Sequence, residues 1–498
     1  MALLTRVVTV LCITAQIAGL SMICEQSPAA ERTNFILLMG DDHGWDETGY
    51  NGHPYLKTPV LDQMASQGLR LDHFYSHGSS CSPTRASVMT GRHPNRCGTF
   101  TPGCSIRPKE ITIAHLLSQS GYACGHFGKW HLGPVKESSP TNPGRMGFKQ
   151  WLSHDNFFEL NPVFSRNGGP PTQFTGESSE ILVDEAMKFI REANRSQQPF
   201  LVVIWFGSPH EPYQGLPEDL ALYQSLPLSF GSKTVSLTSN ETGSQIKRPQ
   251  RDVLIERFAE ITAMDRAIGK LRNGLGESGC RDQTLIWYCG DNGTPNEAVA
   301  TVPFRAQKGS IYEGGIRVPG IIEWPSQTKQ PKTLKARAVT SDILPTLCEI
   351  AHIPLPDRPL DGMNLLSLED TRSKPIGFWN FVADSRDRRP YIAPELQEGT
   401  TPLAKKQNGK ATRNFRNDRF ESIDEVHYQG ARAIISNHWK LVVDGTRQSG
   451  QELFDLDKDP KESVDLSSQF PAVASRLAAE LRDWQTSVLN SLIEKDYR

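Results

Sequence analysis

The stretch "TNFILLMGDDHG", residues 33–44, decides the class of fold. Its apolar run has no polar alternation and ends abruptly in Gly40, Asp41 and Asp42, as expected of a buried strand whose carboxyl end opens into a loop. The next segment, "TPVLDQMASQGLRLDHFY" (58–75), reads as a helix followed by a strand. Pro59 starts the helix, Val60, Leu61, Met64 and Ala65 share one face, and Gly68 stops it. The same order returns in "ITIAHLLSQSGYACGHFG" (111–128), where a helix is followed by Gly121 and a strand. "QPFLVVIWFGSPH" (198–210) and "DQTLIWYCGDNG" (282–293) are two more buried strands running into polar turns. Between them Ile255, Phe258, Ile261, Met264, Ile268, Leu271 and Leu275 recur at spacings of three and four, a long amphipathic helix.

Apolar strands alternating with helices predict an α/β fold. We expect a large domain over residues 33–370, built on a central, mostly parallel sheet flanked by helices. A smaller α+β subdomain is expected over 371–498. Within it, 384–424 is rich in Arg, Lys, Asp and Asn with little periodicity and reads as a long loop. "GARAIISNHWKLVVDG" and "QELFDLDKDP" read as short strands, and "PAVASRLAAELRDWQTSVLNSLIEK" as a terminal amphipathic helix.

With 54 Lys and Arg against 56 Asp and Glu, the net charge is −2, which argues against a nucleic-acid partner held by bulk attraction. It leaves room for a local basic pocket. Arg6, a mostly apolar run over 7–23 and the small or polar residues after it have the outline of a cleaved signal peptide, taken as residues 1–24. A membrane anchor is the alternative, since the run is nearly long enough to span. Gln16 and the Ser/Thr content favour cleavage, and Ile23 before Cys24 is a poor match to a lipid-modification site. The expectation is a secreted or periplasmic protein with no stable membrane insertion after the leader is removed. Nine cysteines are too few for a disulfide-built scaffold. With the leader removed and Cys81 set aside, Cys97, Cys104, Cys124, Cys280, Cys289 and Cys348 form an even set, which leaves room for some pairs without assigning any.

Three strands end in Asp41-Asp42, Ser208-Pro209-His210 and Asp291-Asn292. Ligands of open α/β sheets sit beyond the carboxyl ends of the strands, so these groups gather on one edge. Asp41, Asp42, Asp291 and Asn292 are hard oxygen donors suited to calcium or magnesium. Taken singly, each segment is an equally ordinary turn. Lys129 and His131 in "FGKWHLG", His210, and Lys308 and Arg317 in "AQKGSIYEGGIRVP" are each unremarkable alone; beside a dication they suit a tetrahedral oxyanion. Cys81 stands in a polar turn, "HGSSCSPTRASVMTGRHPNR" (77–96), without a CxxC partner. As a thiol nucleophile it needs a base and a lowered pKa; as a structural residue it needs only burial. Neither reading explains Pro83 and Arg85 at fixed offsets.

"CSPTRASVMTGR" (81–92) resembles the C-x-P-x-R…TG signature of the type I sulfatases, of the alkaline phosphatase superfamily, in which the cysteine is converted to formylglycine. "NFILLMGDDHGWDETGYNG", "KTPVLDQMASQGLRLDHFYS", "GYACGHFGKWHLG", "WFGSPHEPY", "GDNG" and "KGSIYEGGIRVPGIIEWP" resemble the same family in order, and "SDILPTLCEIAHI", "LDGMNLL" and "NHWKLVV…ELFDLDKDPKESVDL" extend the likeness towards residue 485. The resemblance implies an aldehyde at position 81 that hydrates to a gem-diol. One hydroxyl attacks the ester sulfur in line, and the second expels sulfate by reforming the aldehyde. It implies a calcium ion on Asp41, Asp42, Asp291 and Asn292, with residue 81 completing the shell. Arg85 would hold the diol and His131 would orient or deprotonate it. Lys129 and Lys308 would bind sulfate oxygens, and His210, with Lys308, would protonate the leaving oxygen. A formylglycine-generating enzyme is the implied maturation partner. Met89 and the spacing from Asn292 to Lys308 depart mildly from the family pattern.

The expected substrate is a sulfated saccharide or another sulfate ester. Trp45, His154, Asn156 and Tyr213 are candidates for contacting it, with core packing the competing reading for each. Two rivals are a formylglycine phosphodiesterase or phosphonate monoester hydrolase on the same fold, and an inactive sugar-binding member.

Overall fold

The computed structural model describes residues 32–497 apart from 159, 239–243, 369–370, 383–388, 408–409 and 446–449. The expected leader, 1–24, therefore lies outside the described residues, as does part of the 384–424 segment.

A ten-stranded sheet forms the centre. Its five middle strands, Thr284–Gly290, Asn34–Gly40, Phe200–Trp205, Ala123–Lys129 and Gln150–His154, run parallel in that spatial order. Antiparallel strands extend it on both sides, Gly320–Glu323 beside Thr284–Gly290 and Val163–Arg166 beside Gln150–His154. The first strand is buried on both faces, as its unbroken apolar run demands. Phe35, Leu37 and Met39 join one core with residues of helices Cys81–Thr90, Ile113–Gln119 and Ile343–Ile350. Ile36 and Leu38 join another with helices Pro59–Gln67, Ser178–Arg195 and Gln250–Glu277. Successive side chains of a strand face opposite ways, so this division is the expected two-sided α/β layering.

Towards the carboxyl terminus, Ile376–Trp379, Arg432–Ser436, Trp439–Val443 and Gln451–Asp455 form a four-stranded antiparallel sheet. One face packs Ile434, Leu441 and Leu453 against Ala474, Leu477 and Leu481 of the terminal helix Pro471–Leu492. The other packs Phe378, Ile435 and Phe454 against Tyr75 of the short strand Phe74–Tyr75 and against Ile311 and Tyr312, which lead into the turn of helix at Glu313–Ile316. Among these apolar groups Lys440 is buried between Glu313 at 3.1 Å and Glu462 at 2.8 Å.

One expectation is corrected and one open question is answered. The segment 384–424 is not a long loop: Glu398–Gln407 and Lys410–Asn414 form an antiparallel hairpin. All seven described cysteines, Cys81 included, are free and buried. Cys124 and Cys289 lie on strands with two others between them, and the remaining thiols sit in separate surroundings, Cys97 beside Thr90 and Cys280 against the carbonyl of Leu275. They behave as small apolar residues.

Candidate active site

The parallel register lines up the carboxyl ends of the central strands. Gly40 pairs with Gly290, Met39 and Gly128 both pair with Trp205, and Lys129 pairs with His154. The chain leaving each strand therefore delivers Asp41-Asp42, Asp291-Asn292, Lys129 to His131, and Ser208 to His210 to one edge. Asp42 takes a left-handed conformation, φ 64°, which aspartate tolerates better than most residues. The turn folds its backbone N–H onto Asp291 Oδ1 at 2.8 Å.

Cys81 is not in a turn. It is the first residue of helix Cys81–Thr90, every residue of which is buried. Ser80 enters extended, Gly91 closes the helix at φ 68°, and Pro83 costs little because first-turn N–H groups have no intrahelical acceptor. The helix brings the thiol to the acids: ligand atoms of Asp41, Asp42, Cys81 and His210 all lie within 4.8 Å of one another. One turn on, Arg85 reaches Asp291 Oδ2 at 2.8 Å, Asp41 Oδ1 at 3.4 Å and the carbonyl of Lys129 at 3.2 Å, over the ring of Trp205.

The cations close over the acids. Lys129 Nζ pairs with Asp41, and Lys308 Nζ reaches Asp42 Oδ1 at 2.6 Å. His210 stacks on Phe157 and faces Asp42 with Nε2 at 3.6 Å. Its Nδ1 lies 2.5 Å from the carbonyl oxygen of Glu211, which only accepts, so Nδ1 carries a proton. His131 is buried with neither ring nitrogen hydrogen-bonded. Burial, then Lys129, hold its imidazole well below the usual range. Burial likewise lowers His210 to about 4 against the pull of Asp42 and Asp41. Burial pushes the Cys81 thiol up to about 12 despite Lys129 and Lys308. Burial also raises the Asp41 and Asp42 carboxyls, but Lys129 and Lys308 respectively lead the opposing charges that hold both below their ordinary values. Asp291 goes the other way, to about 7, through burial and the nearby Asp41 charge.

This edge thus carries three buried carboxylates and an amide oxygen. Asp41 Oδ1, met only by the ion pair with Arg85 at 3.4 Å, and Asn292 Oδ1 are buried without a hydrogen-bond partner. Unsatisfied hard oxygens beside carboxylates fit a hard divalent cation held by Asp41, Asp42, Asp291 and Asn292.

All the expected site residues, Asp41, Asp42, Cys81, Arg85, Lys129, His131, His210, Asp291, Asn292 and Lys308, fall at this edge. Arg317 does not join them: it donates to the carbonyl of Asp72 and packs between Trp45 and Phe304. Of the candidate substrate contacts, Tyr213 donates to Glu297 at 3.0 Å and Trp45 packs on Phe304. His154 meets the carbonyl of Pro402 and the N–H of Asn156. Only Asn156 has both amide atoms buried and unpaired. Sequence reasoning passed over Arg257, Phe157 and Asp155. Arg257 donates to the carbonyls of Asp42 at 2.6 Å and Pro209 at 2.5 Å, tying the acidic loop to the His210 loop. Its position on a long helix gave no sign that it is buried.

The sequence profile named Sulfatase matches residues 33–353. The chain is 32% identical over 356 residues to arylsulfatase A of Homo sapiens, a match covering 68% of each chain. It is 29% identical over 351 residues to the ulvan-active sulfatase of Formosa agariphila, covering 69% of this chain and 66% of that one, just under two thirds of the relative. The crystal structure of Ps i-CgsB in complex with k-i-k-neocarrahexaose shares the fold at a TM-score of 0.73 and 22% identity, with 92% of this chain and 93% of that one covered.

Proposed function

Because the chain belongs to the sulfatase family of sulfuric ester hydrolases, we propose that it hydrolyses sulfate esters of saccharides, as a secreted enzyme, at the cluster around Cys81. The observation that carries this reading is the placement of Cys81 within 4.8 Å of the Asp41, Asp42 and His210 ligand atoms, in surroundings that suppress its thiolate. An enzyme using sulfur as the nucleophile needs the opposite, a lowered thiol pKa. The surroundings instead suit a residue 81 matured to formylglycine. When present, that group supplies as its hydrate an oxygen nucleophile and a second hydroxyl for sulfate release, and a calcium ion on the oxygen donors supplies fixed positive charge.

The chain's own side chains do the rest. Arg85, anchored between Asp291 and the carbonyl of Lys129, directs positive charge at position 81. Lys129 and Lys308 bracket the acids from two sides and are placed to hold sulfate oxygens, stabilising charge that grows on them in the transition state. His131, neutral with both nitrogens free, is the group available to take a proton from residue 81. His210 has Nδ1 committed to Glu211, so Nε2 is the atom that faces the leaving oxygen, and it gives a proton there from the imidazolium form, which the charges of Asp42 and Asp41 favour against burial. Phe157 stacked on it fixes the ring plane. On the acceptor side, Asn156 is the residue whose unpaired amide awaits a sugar hydroxyl.

The ulvan-active relative acts on a polysaccharide by its name, which supports a saccharide substrate here. The test is mass analysis of the tryptic peptide 71–85, with conversion lowering its mass by about 18 daltons. It is paired with turnover of an aryl sulfate against an aryl phosphodiester. An unmodified thiol in active protein, or preference for the diester, removes this reading.

A further inference from the structure

The hairpin Glu398–Gln407/Lys410–Asn414 is fixed to the site rim by one buried carboxylate. Asp155, just past the strand that ends at His154, accepts from the backbone N–H of Thr400 at 2.6 Å, of Thr401 at 2.8 Å and of Val135 at 2.7 Å. The chain leaving the hairpin is fastened again, by Phe415 N–H to Gln397 at 2.8 Å and by Arg416 N–H to Gly103 at 3.0 Å. The ring of Phe415 stands edge-on to His131, with centroids 6.1 Å apart. Residues two apart on an extended chain share a side, so Arg413 is delivered to the side that meets His131.

Arg413 fits the place without a partner. Its Nη2 lies 3.0 Å from where a Cβ on Gly103 would stand, so a side chain there would crowd the guanidinium, and the φ of 91° at Gly103 favours glycine independently. No acid or carbonyl among the described residues pairs with it, and its Nε is buried and unsatisfied. A largely buried cation without a counter-charge is unfavourable unless a ligand supplies one.

Resting on the sulfatase reading above, we propose that Arg413 is a specificity-determining residue that binds a second oxyanion, a carboxylate or a further sulfate, on the saccharide whose sulfate is removed. The guanidinium fork matches either anion bidentately. Electrostatics agree: burial lowers its own pKa against the nearby thiols of Cys81 and Cys104, and its charge helps depress His131. The substrate class that follows is a saccharide carrying more than one negative group near the scissile ester.

The test compares native protein with Arg413→Met and Arg413→Lys on three defined disaccharides. One carries a single sulfate and no other charge, one adds a uronate carboxylate, and one adds a second sulfate. Arg413→Met should lower kcat/KM for the carboxylate or the disulfated substrate about 30-fold more than for the uncharged monosulfate, mainly through KM. Arg413→Lys should recover part of that selectivity as a point charge. The arm that falls identifies the anion. An equal fall on all three assigns Arg413 to the scissile sulfate or to folding, and no differential fall on any makes it structural; either result overturns the proposal. Native protein that turns over none of the three but cleaves an aryl phosphodiester overturns the sulfatase reading itself, and this inference with it.

Discussion

Arg257 and Glu47 form a buried two-point ion pair, Nε to Oε1 at 2.6 Å and Nη2 to Oε2 at 2.7 Å. The same guanidinium holds the backbone of Asp42 and Pro209, so the pair sets the separation of the acidic loop and the His210 loop. Glu47 in turn receives the N–H of Gly44, closing the turn that begins at Asp41. Arg257→Met leaves Glu47 buried without its partner and should cost about 3–5 kcal/mol of stability. Arg257→Lys keeps the charge but cannot span both carbonyls and the carboxylate. It should recover most of the melting temperature while calcium affinity stays down about 10-fold by titration calorimetry. Full recovery of affinity in the lysine variant would show that Arg257 stabilises without positioning.

The oxygen donors predict which metal matters. Chelated protein should melt lower, and calcium at a hundred times its dissociation constant should restore about 2.7 kcal/mol. Zinc should do so poorly in protein whose residue 81 carries no thiol, since oxygen donors then outnumber the single imidazole of His210. Asp291→Asn keeps the shape of a side chain that accepts from Asp42 N–H and Arg85 but removes its charge. It should weaken calcium binding at least 10-fold. Equal stabilisation by zinc, or unaltered affinity in Asp291→Asn, would argue against a calcium site.

Cys81→Ser separates the diol chemistry from ordinary acyl-type catalysis. The position is fully packed within its helix, and serine is slightly smaller than cysteine, so the variant should fold and bind calcium within a few-fold of the native protein. It has one hydroxyl where the hydrated aldehyde has two. A burst of about one equivalent followed by arrest is the expected time course, read by rapid-quench assay. Sustained turnover at the native rate would leave no need for formylglycine.

Much of this architecture was legible because a strand buried on both faces has to read as an unbroken apolar run. Phe35 to Met39 divide between two cores as such a run requires. The site was legible because the acids stand where those runs stop. What escaped was polar structure held by backbone groups. The hairpin at 398–414 contains Gly399, Pro402 and several charged residues, and nothing in its pattern alternates. Its order comes from Asp155, about 245 positions away in sequence. Arg257 escaped because helical periodicity treats an arginine as solvent-facing, whereas this one is 0% exposed. An even cysteine count left pairing open, and each described thiol has instead a separate place to be buried.

The join between the large sheet and the C-terminal sheet should be sensitive to acid through His77. Its Nε2 lies 2.9 Å from the carbonyl of Gly377, its Nδ1 is buried and unpartnered, and its ring meets His93 and Phe378 edge-on. Burial, only partly opposed by Asp361, lowers its pKa to about 4. Between that value and 6.5 the folded protein keeps the ring neutral while the unfolded chain protonates it. Unfolding therefore takes up a proton, and the contribution of His77 to stability is complete above pH 6.5 and declines as pH falls towards 4. Asp265 and Asp46, whose carboxyls burial raises to about 7 and about 6, act in the opposite sense. A comparison of variants isolates His77 from them. His77→Gln keeps an N–H for the Gly377 carbonyl but does not titrate. Its stability deficit relative to the native protein should narrow by on the order of 2 kcal/mol between pH 7.5 and pH 5. Denaturant melts at the two pH values measure this directly. A deficit that stays constant would mean the ring titrates alike in folded and unfolded chains, and the acid sensitivity would have to come from elsewhere.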